Sequence, residues 1–160
     1  MVEEPTLKLK FLSHGTLECR DLVFTRKFYE EFLGFDVVQS SDISIWCRLN
    51  GLHVYACIQT GKKGVMNVFA HNGIDVETDE QVNECHRLVE RDAEIWKLHK
   101  ISKPAFQHGS YSFYFWDGDD NCWEILSNPA GGYSWMFDRG DQAGRGHRSK
   151  DFSRPILPGG

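Results

Sequence analysis

The chain has 160 residues, 41% hydrophobic and 26% charged, with a net charge of -5. That length suits one domain or two small halves, and folding at this size buries roughly two-thirds of the unfolded surface without covalent staples. The acidic balance excludes nucleic acid as the main partner, and no apolar run approaches the ~20 residues that cross a bilayer. No signal-peptide pattern opens the chain. The five cysteines, Cys19, Cys47, Cys57, Cys85 and Cys122, are odd in number and form no CxxC pair. Neither a disulfide framework nor a thiolate zinc site is expected, and a reducing cytoplasm is the expected home.

Residues 1–8 read as a polar leader. From Leu9 the pattern LKFLSHGTLEC predicts a strand. A helix follows over about Leu22–Leu33, with Phe24, Phe28, Tyr29 and Phe32 on one face and Gly34 just past its end. Three strands are predicted at Phe35–Gln39, Ile43–Leu49 and His53–Gln59, with Asn50-Gly51 marking a tight hairpin. Residues 61–64 form a short linker. Val65–Glu77 then reads as a strand with irregular edges, and Glu80–Arg91 as a helix with Val82, Cys85, Leu88 and Val89 inward. Strands at Tyr111–Trp116 and Cys122–Leu126 flank the turn at residues 117–121. Beyond Pro129 the chain is rich in Gly, Pro, Arg and Asp, so residues 130–160 read as an extended arm docked on the domain or on a second subunit.

A repeat organises this string. His14-x-x-Leu17-Glu18 matches His71-x-x-Ile74-Asp75 at an offset of 57 residues, and each copy precedes an acidic residue that opens a helix. Two copies of one βαβββ unit, residues 9–60 and 65–129, are expected to form an α+β domain whose curved mixed sheet surrounds a metal cleft. The 13% aromatic content fits a core together with a lined cleft.

Two histidines at matching places in a repeat, plus a carboxylate on an apolar strand, make a set of metal ligands: His14, His71 and Glu124. Such a triad leaves three positions open on a six-coordinate ion and suits Fe(II), Mn(II) or a similar borderline ion. Glu124, inside Cys122-Trp123-Glu124-Ile125-Leu126, would cost several kcal/mol if buried unpaired, which a cation would explain.

The stretch SHGTLECRDLVFTRKFYEEFLGFDVV resembles the opening strand and helix of the vicinal oxygen chelate superfamily, and YFWDGDDNCWEIL resembles its closing hairpin. The superfamily includes glyoxalase I, type I extradiol dioxygenases, fosfomycin-resistance enzymes and bleomycin-binding proteins. The resemblance covers about residues 9–128 and implies that Glu124 is a metal ligand. The segment Trp46–Ala56 is similar to a strand pair of the extradiol dioxygenases, which implies an acid–base role for His53. Tyr114 stands where those enzymes place a tyrosine beside the substrate oxygen, and His108 lies near another of their active-site histidines, although its spacing does not match cleanly. Leu52 replaces a commonly paired histidine. The resemblance thus implies an Fe(II)-dependent enzyme, with Mn(II), Zn(II) or Ni(II) as alternatives. It would open the ring of a small catechol-like aromatic substrate with O2, as a homodimer or higher homo-oligomer.

Other functions compete with that expectation. Glyoxalase I chemistry usually uses a fourth protein ligand at the end of the first module, where this chain has Tyr55 or Ala56. A fosfomycin-type enzyme needs a cationic pocket, for which Arg139, Arg145, Arg148 and Lys150 are the candidates. A metal-free drug-binding protein is the non-enzyme alternative, and the intact triad argues against it.

Overall fold

A computed structural model describes residues 5–61, 64–142 and 152–157. Backbone contacts divide the chain into two compact units, Met1–Lys63 and Gly64–Gly160.

In the first unit, strand β1 (His14–Cys19) starts five residues later than the apolar pattern from Leu9 predicts. Leu9 and Leu12 are exposed, so their spacing does not mark a buried strand face. Helix α1 (Leu22–Lys27) opens on Asp21, whose carboxylate accepts from the Val23 and Phe24 amides, supplying partners to donors that have none within the helix. At Phe28 it passes into a π-helical turn, Phe28–Phe32, where the Leu33 amide reaches back to the Phe28 carbonyl. Phe28 and Tyr29, adjacent in sequence, are both buried there. The apolar spacing reads as one helix and gives no sign of that change in ladder. Strands β2 (Asp36–Ser41), β3 (Ser44–Arg48) and β4 (Val54–Gln59) complete a mixed sheet in the order β1-β4-β3-β2. β1 runs parallel to β4, and the other pairs are antiparallel. Asn50 and Gly51 have φ of 58° and 64°, the left-handed conformation their residue types favour, but they lie within a longer loop between β3 and β4.

The second unit repeats the plan with a longer helix. Val65–Ala70, expected as strand, instead leads into a 3-10 turn at Val68–Ala70, and β5 spans Asn72–Val76. Helix α2 (Asp79–Trp96) extends beyond both expected ends. Its Thr78 and Gln81 form a capping box, and Val82 and Val89 are fully buried. Strand β6 (Ala105–Gln107) has no signal in the sequence pattern. It pairs with β7 (Ser110–Trp116) through a two-residue turn at His108-Gly109. Every residue of β8 (Cys122–Ser127) is buried. The sheet order β5-β8-β7-β6, with β5 parallel to β8, reproduces the first unit's topology. The fold is therefore α+β, with one four-stranded mixed sheet per unit.

Two stretches of the tail are described, residues 130–142 and 152–157. Ser134–Arg139 form helix α3, Trp135 and Leu157 are buried, and the Phe152 ring packs 5.5 Å from that of Trp135. Residues 1–4, the linker lysines Lys62 and Lys63, and Arg145, Arg148, Lys150 and Pro158 lie outside the described residues. Among the described residues no helix is long and apolar enough to cross a membrane.

Candidate functional site

The second unit gathers four of the six residues singled out from sequence. In the strand register Gly73 stands opposite Glu124, and Glu124 opposite Tyr114, so β5, β8 and β7 present these positions in a row. His71 caps the 3-10 turn one residue before β5. Its Nε2 lies 3.1 Å from Glu124 Oε2, while its Nδ1 lies 2.5 Å from the Val68 carbonyl oxygen. A carbonyl can only accept, so Nδ1 carries a proton toward Val68, and in the neutral imidazole the Nε2 lone pair faces the carboxylate. Lone pair against anion is repulsive unless a second proton or a metal cation stands between them. A histidine whose far nitrogen is anchored on a backbone carbonyl is the usual arrangement of a metal-binding imidazole.

Glu124 supplies a second indication. It is 2% exposed, and its Oε1 is buried without a hydrogen-bond partner. Its negative charge reaches several neighbours. Burial, reinforced by that charge and by the approach of the phenol to the Glu124 carboxylate, holds Tyr114 well above its ordinary value. The Cys122 thiol is pushed up to about 12 by burial and by the same charge. Tyr133 is raised chiefly by burial, with Glu124 contributing. A buried carboxylate with one oxygen unsatisfied beside an imidazole lone pair fits a divalent ion of the Fe(II) or Mn(II) type.

Next to this pair stands a hydrogen-bonded chain. His108 Nε2 lies 2.8 Å from the Tyr114 hydroxyl and 3.7 Å from Glu124 Oε1, and its Nδ1 is 3.4 Å from the Tyr133 hydroxyl. The Tyr114 ring meets His71 edge-on at 4.9 Å. Tyr114 keeps its proton at neutral pH and can donate it to a substrate oxygen, while His108 can exchange protons with it.

The other two residues belong to the first unit. His14 is exposed at the start of β1, hydrogen-bonded through Nδ1 to Ser13 Oγ at 2.7 Å, with its ring 5.7 Å from Trp46. His53 is exposed in the loop before β4, edge-on to Tyr55 at 5.1 Å. A Cβ on Gly15 would lie 4.0 Å from His53 Nε2, so the two histidines flank one end of the β1–β4 pair. Within either unit taken alone, no group of three or more described His, Cys, Asp or Glu side chains could hold a metal ion.

The register also settles which residue corresponds to Glu124 in the first module. Thr16 pairs with Ala56 as Gly73 pairs with Glu124, and Thr16 and Gly73 are related by the same offset of 57 as the histidines. Ala56 cannot ligate, so the first module carries no carboxylate at that place.

Sequence reasoning missed the Val68 carbonyl and Tyr133. Asn67, whose side chain accepts from the Phe69 amide, was the available cue for the turn that presents Val68. Tyr133 lies in the tail read as an arm docked on the domain or on a second subunit, where the sequence gives it no chemical role. Arg139, a candidate for a cationic pocket, instead bonds the Ser153 carbonyl and lies over the rings of Trp135 and Phe152.

No protein-family model matches the chain, and no curated protein matches it. Solved structures do share its fold. A possible glyoxalase from Bacillus cereus is 21% identical, with a TM-score of 0.61 over 74% of this chain and 99% of that one. The fosfomycin resistance protein FosX from Listeria monocytogenes, in complex with Mn(II) and sulfate, is 21% identical with a TM-score of 0.61, over 81% of this chain and 98% of that one. A lactoylglutathione lyase from Agrobacterium tumefaciens is 16% identical with a TM-score of 0.54, over 76% and 96%. At these identities the likeness is one of fold. These neighbours are proteins of the glyoxalase and fosfomycin-resistance type rather than ring-cleaving dioxygenases.

Proposed function

We propose that this protein is a metal-dependent enzyme of the vicinal oxygen chelate superfamily, acting on a small molecule with two neighbouring oxygens. The observation that carries the reading is the His71–Glu124 pair, with Nδ1 of His71 committed to Val68 and Oε1 of Glu124 left unsatisfied. His71 and Glu124 would hold the ion, with His14 as third ligand; the choice of His14 rests on the sequence repeat. A divalent ion there supplies a Lewis acid that acidifies a coordinated hydroxyl. Tyr114 would donate its hydroxyl proton in a hydrogen bond to a substrate oxygen while accepting from His108 Nε2–H, so that a proton passed to the substrate oxygen is replaced on Tyr114 by the one from His108. The neighbours' fold and the Mn(II) bound by the Listeria protein support this level of description.

A narrower reading is Fe(II)-dependent ring opening of a catechol with O2. It rests on the sequence resemblance, while the fold neighbours are of the glyoxalase and fosfomycin-resistance type and support the broader reading. The acid–base role of His53 rests on the resemblance. For a phosphonate substrate, Arg139 is engaged within the tail, and the other candidate cations, Arg145, Arg148 and Lys150, lie outside the described residues.

Anaerobic purification, metal analysis and a substrate panel test the proposal. About one divalent ion per chain is expected in the wild type and much less in folded His71→Ala. Oxygen uptake with catechols would select the dioxygenase branch, and turnover in glyoxalase or fosfomycin assays would select the others. A wild-type chain that retains none of Fe(II), Mn(II), Zn(II) or Ni(II) overturns the reading.

A further inference from the structure

His108 sits in a conformation that its residue type rarely adopts. With Gly109 it forms the β6–β7 turn, and the two residues have φ of 38° and 87°. Glycine takes such angles freely, whereas histidine does so at a cost unless its surroundings hold it. The surroundings here come from the C-terminal tail. A Cβ on Gly109 would fall 2.8 Å from Trp135 Cη2 and 3.2 Å from the Phe152 ring, so tail aromatics close directly on the turn. The Arg154 amide donates to the Gly109 carbonyl at 2.8 Å. The Arg154 side chain is 8% exposed, and its Nη2 lies 2.5 Å from Asp79 Oδ1 at the start of α2. Asp79 also accepts from Ser127 Oγ at the end of β8, the strand that carries Glu124. Trp135 Nε1 and Ser110 Oγ both donate to Asn128 Oδ1, so the other flank of the turn is tied to the same strand end.

We infer that Arg154 is a positioning residue: through Asp79 and the Gly109 carbonyl it fixes the His108–Gly109 turn, and with it the reach of His108 to the Tyr114 hydroxyl. The inference rests on the proposed role of His108 in proton transfer. Its geometric half, the placement of the imidazole, is independent of metal and of substrate.

Three full-length variants test it. Arg154→Met keeps an apolar side chain of similar reach and removes both the pair with Asp79 and the guanidinium over the Phe106 ring. Arg154→Lys restores a cation, and Arg154→Pro removes the amide that bonds Gly109. The first readout is the long-range 1H–15N spectrum of the His108 ring in metal-free protein, assigned against His108→Gln. Wild type and Arg154→Lys should show one dominant tautomer, fixed by the Tyr114 bond, and Arg154→Met should show averaged ring shifts. The second readout is turnover: in Arg154→Met kcat should fall about tenfold or more while KM and metal content stay within about twofold. An unchanged ring spectrum in a folded Arg154→Met overturns the inference, even if its melting temperature drops, because the arginine would then be structural only. Should Arg154→Pro fail to fold, the methionine and lysine variants decide. If the chain binds no metal and turns nothing over, the proposed function falls, while the ring spectrum still decides the role of Arg154.

Discussion

A carboxylate on a fully buried strand, with one oxygen 3.1 Å from an imidazole nitrogen and the other without a hydrogen-bond partner, is held against its own solvation. Without a cation such a group weakens the fold, and stability is commonly surrendered in this way at a functional site. Glu124→Gln is therefore expected to have opposite effects on binding and on stability. The glutamine amide can donate to His71 Nε2 while His71 Nδ1–H goes on donating to the Val68 carbonyl. Metal should be lost, while the metal-free variant melts at or above the wild-type temperature, with about 1 kcal/mol of gain as the scale of one satisfied buried hydrogen bond. Calorimetry of the two metal-free proteins checks this. A clearly lower melting point for Glu124→Gln would mean that the carboxylate is a structural partner of His71. Both Glu124 and its apolar strand could be read in the sequence. The unsatisfied oxygen could not, because it depends on which neighbours β7 and the tail bring to it.

Among the elements, the Asp117 turn between β7 and β8 shows how local chemistry fixes a strand pair. Asp117 Oδ1 accepts from the amides of Asp119 and Asn121 at 2.9 Å, and Oδ2 accepts from Trp123 Nε1 at 2.8 Å. Those bonds hold the register in which Tyr114 faces Glu124. Burial nevertheless outweighs them and raises the Asp117 carboxyl from 3.8 to about 6. A raised folded value means that the folded chain binds this proton more tightly than the unfolded one. The stabilisation is therefore complete below the unfolded value and is lost as pH rises through about 6. Asp117→Asn should flatten that part of the stability–pH profile, because it no longer titrates. At pH 7 it should also lose about 1–3 kcal/mol if its amide meets the Trp123 N–H. Urea unfolding between pH 4 and 7 measures both. The sequence located this turn, both long helices and seven of the eight strands, since each carries a turn residue or an apolar period. β6 escaped because three half-exposed residues have no period. The π-helical turn escaped because it alters the hydrogen-bond ladder and leaves the composition of the buried face unchanged.

For the whole molecule, the repeat was the most informative reading, and the matching sheet orders and registers of the two units give it a structural form. It also exposes an asymmetry: Glu124 has Ala56 as its counterpart, so the first module offers His14 without a carboxylate. An ion held by His71 and Glu124, with His14 as the proposed third ligand, would add its binding energy to the stability of the folded chain. A site with the ion at about 100 times its dissociation constant gains ~2.7 kcal/mol, which for a chain of this length is a rise of roughly 5–10 °C in melting temperature. We expect Mn(II) or anaerobic Fe(II) to produce that shift in the wild type, and His14→Ala to lose most of it at the same ion concentration. His14 is exposed, hydrogen-bonded to its neighbour Ser13 and in ring contact with Trp46, so its removal should leave the metal-free stability within about 0.5 kcal/mol of the wild type. A full metal-induced shift in His14→Ala would remove His14 from the ligand set and leave the ion to the second unit. No shift in the wild type with any of the four candidate ions would count against the metal site as a whole.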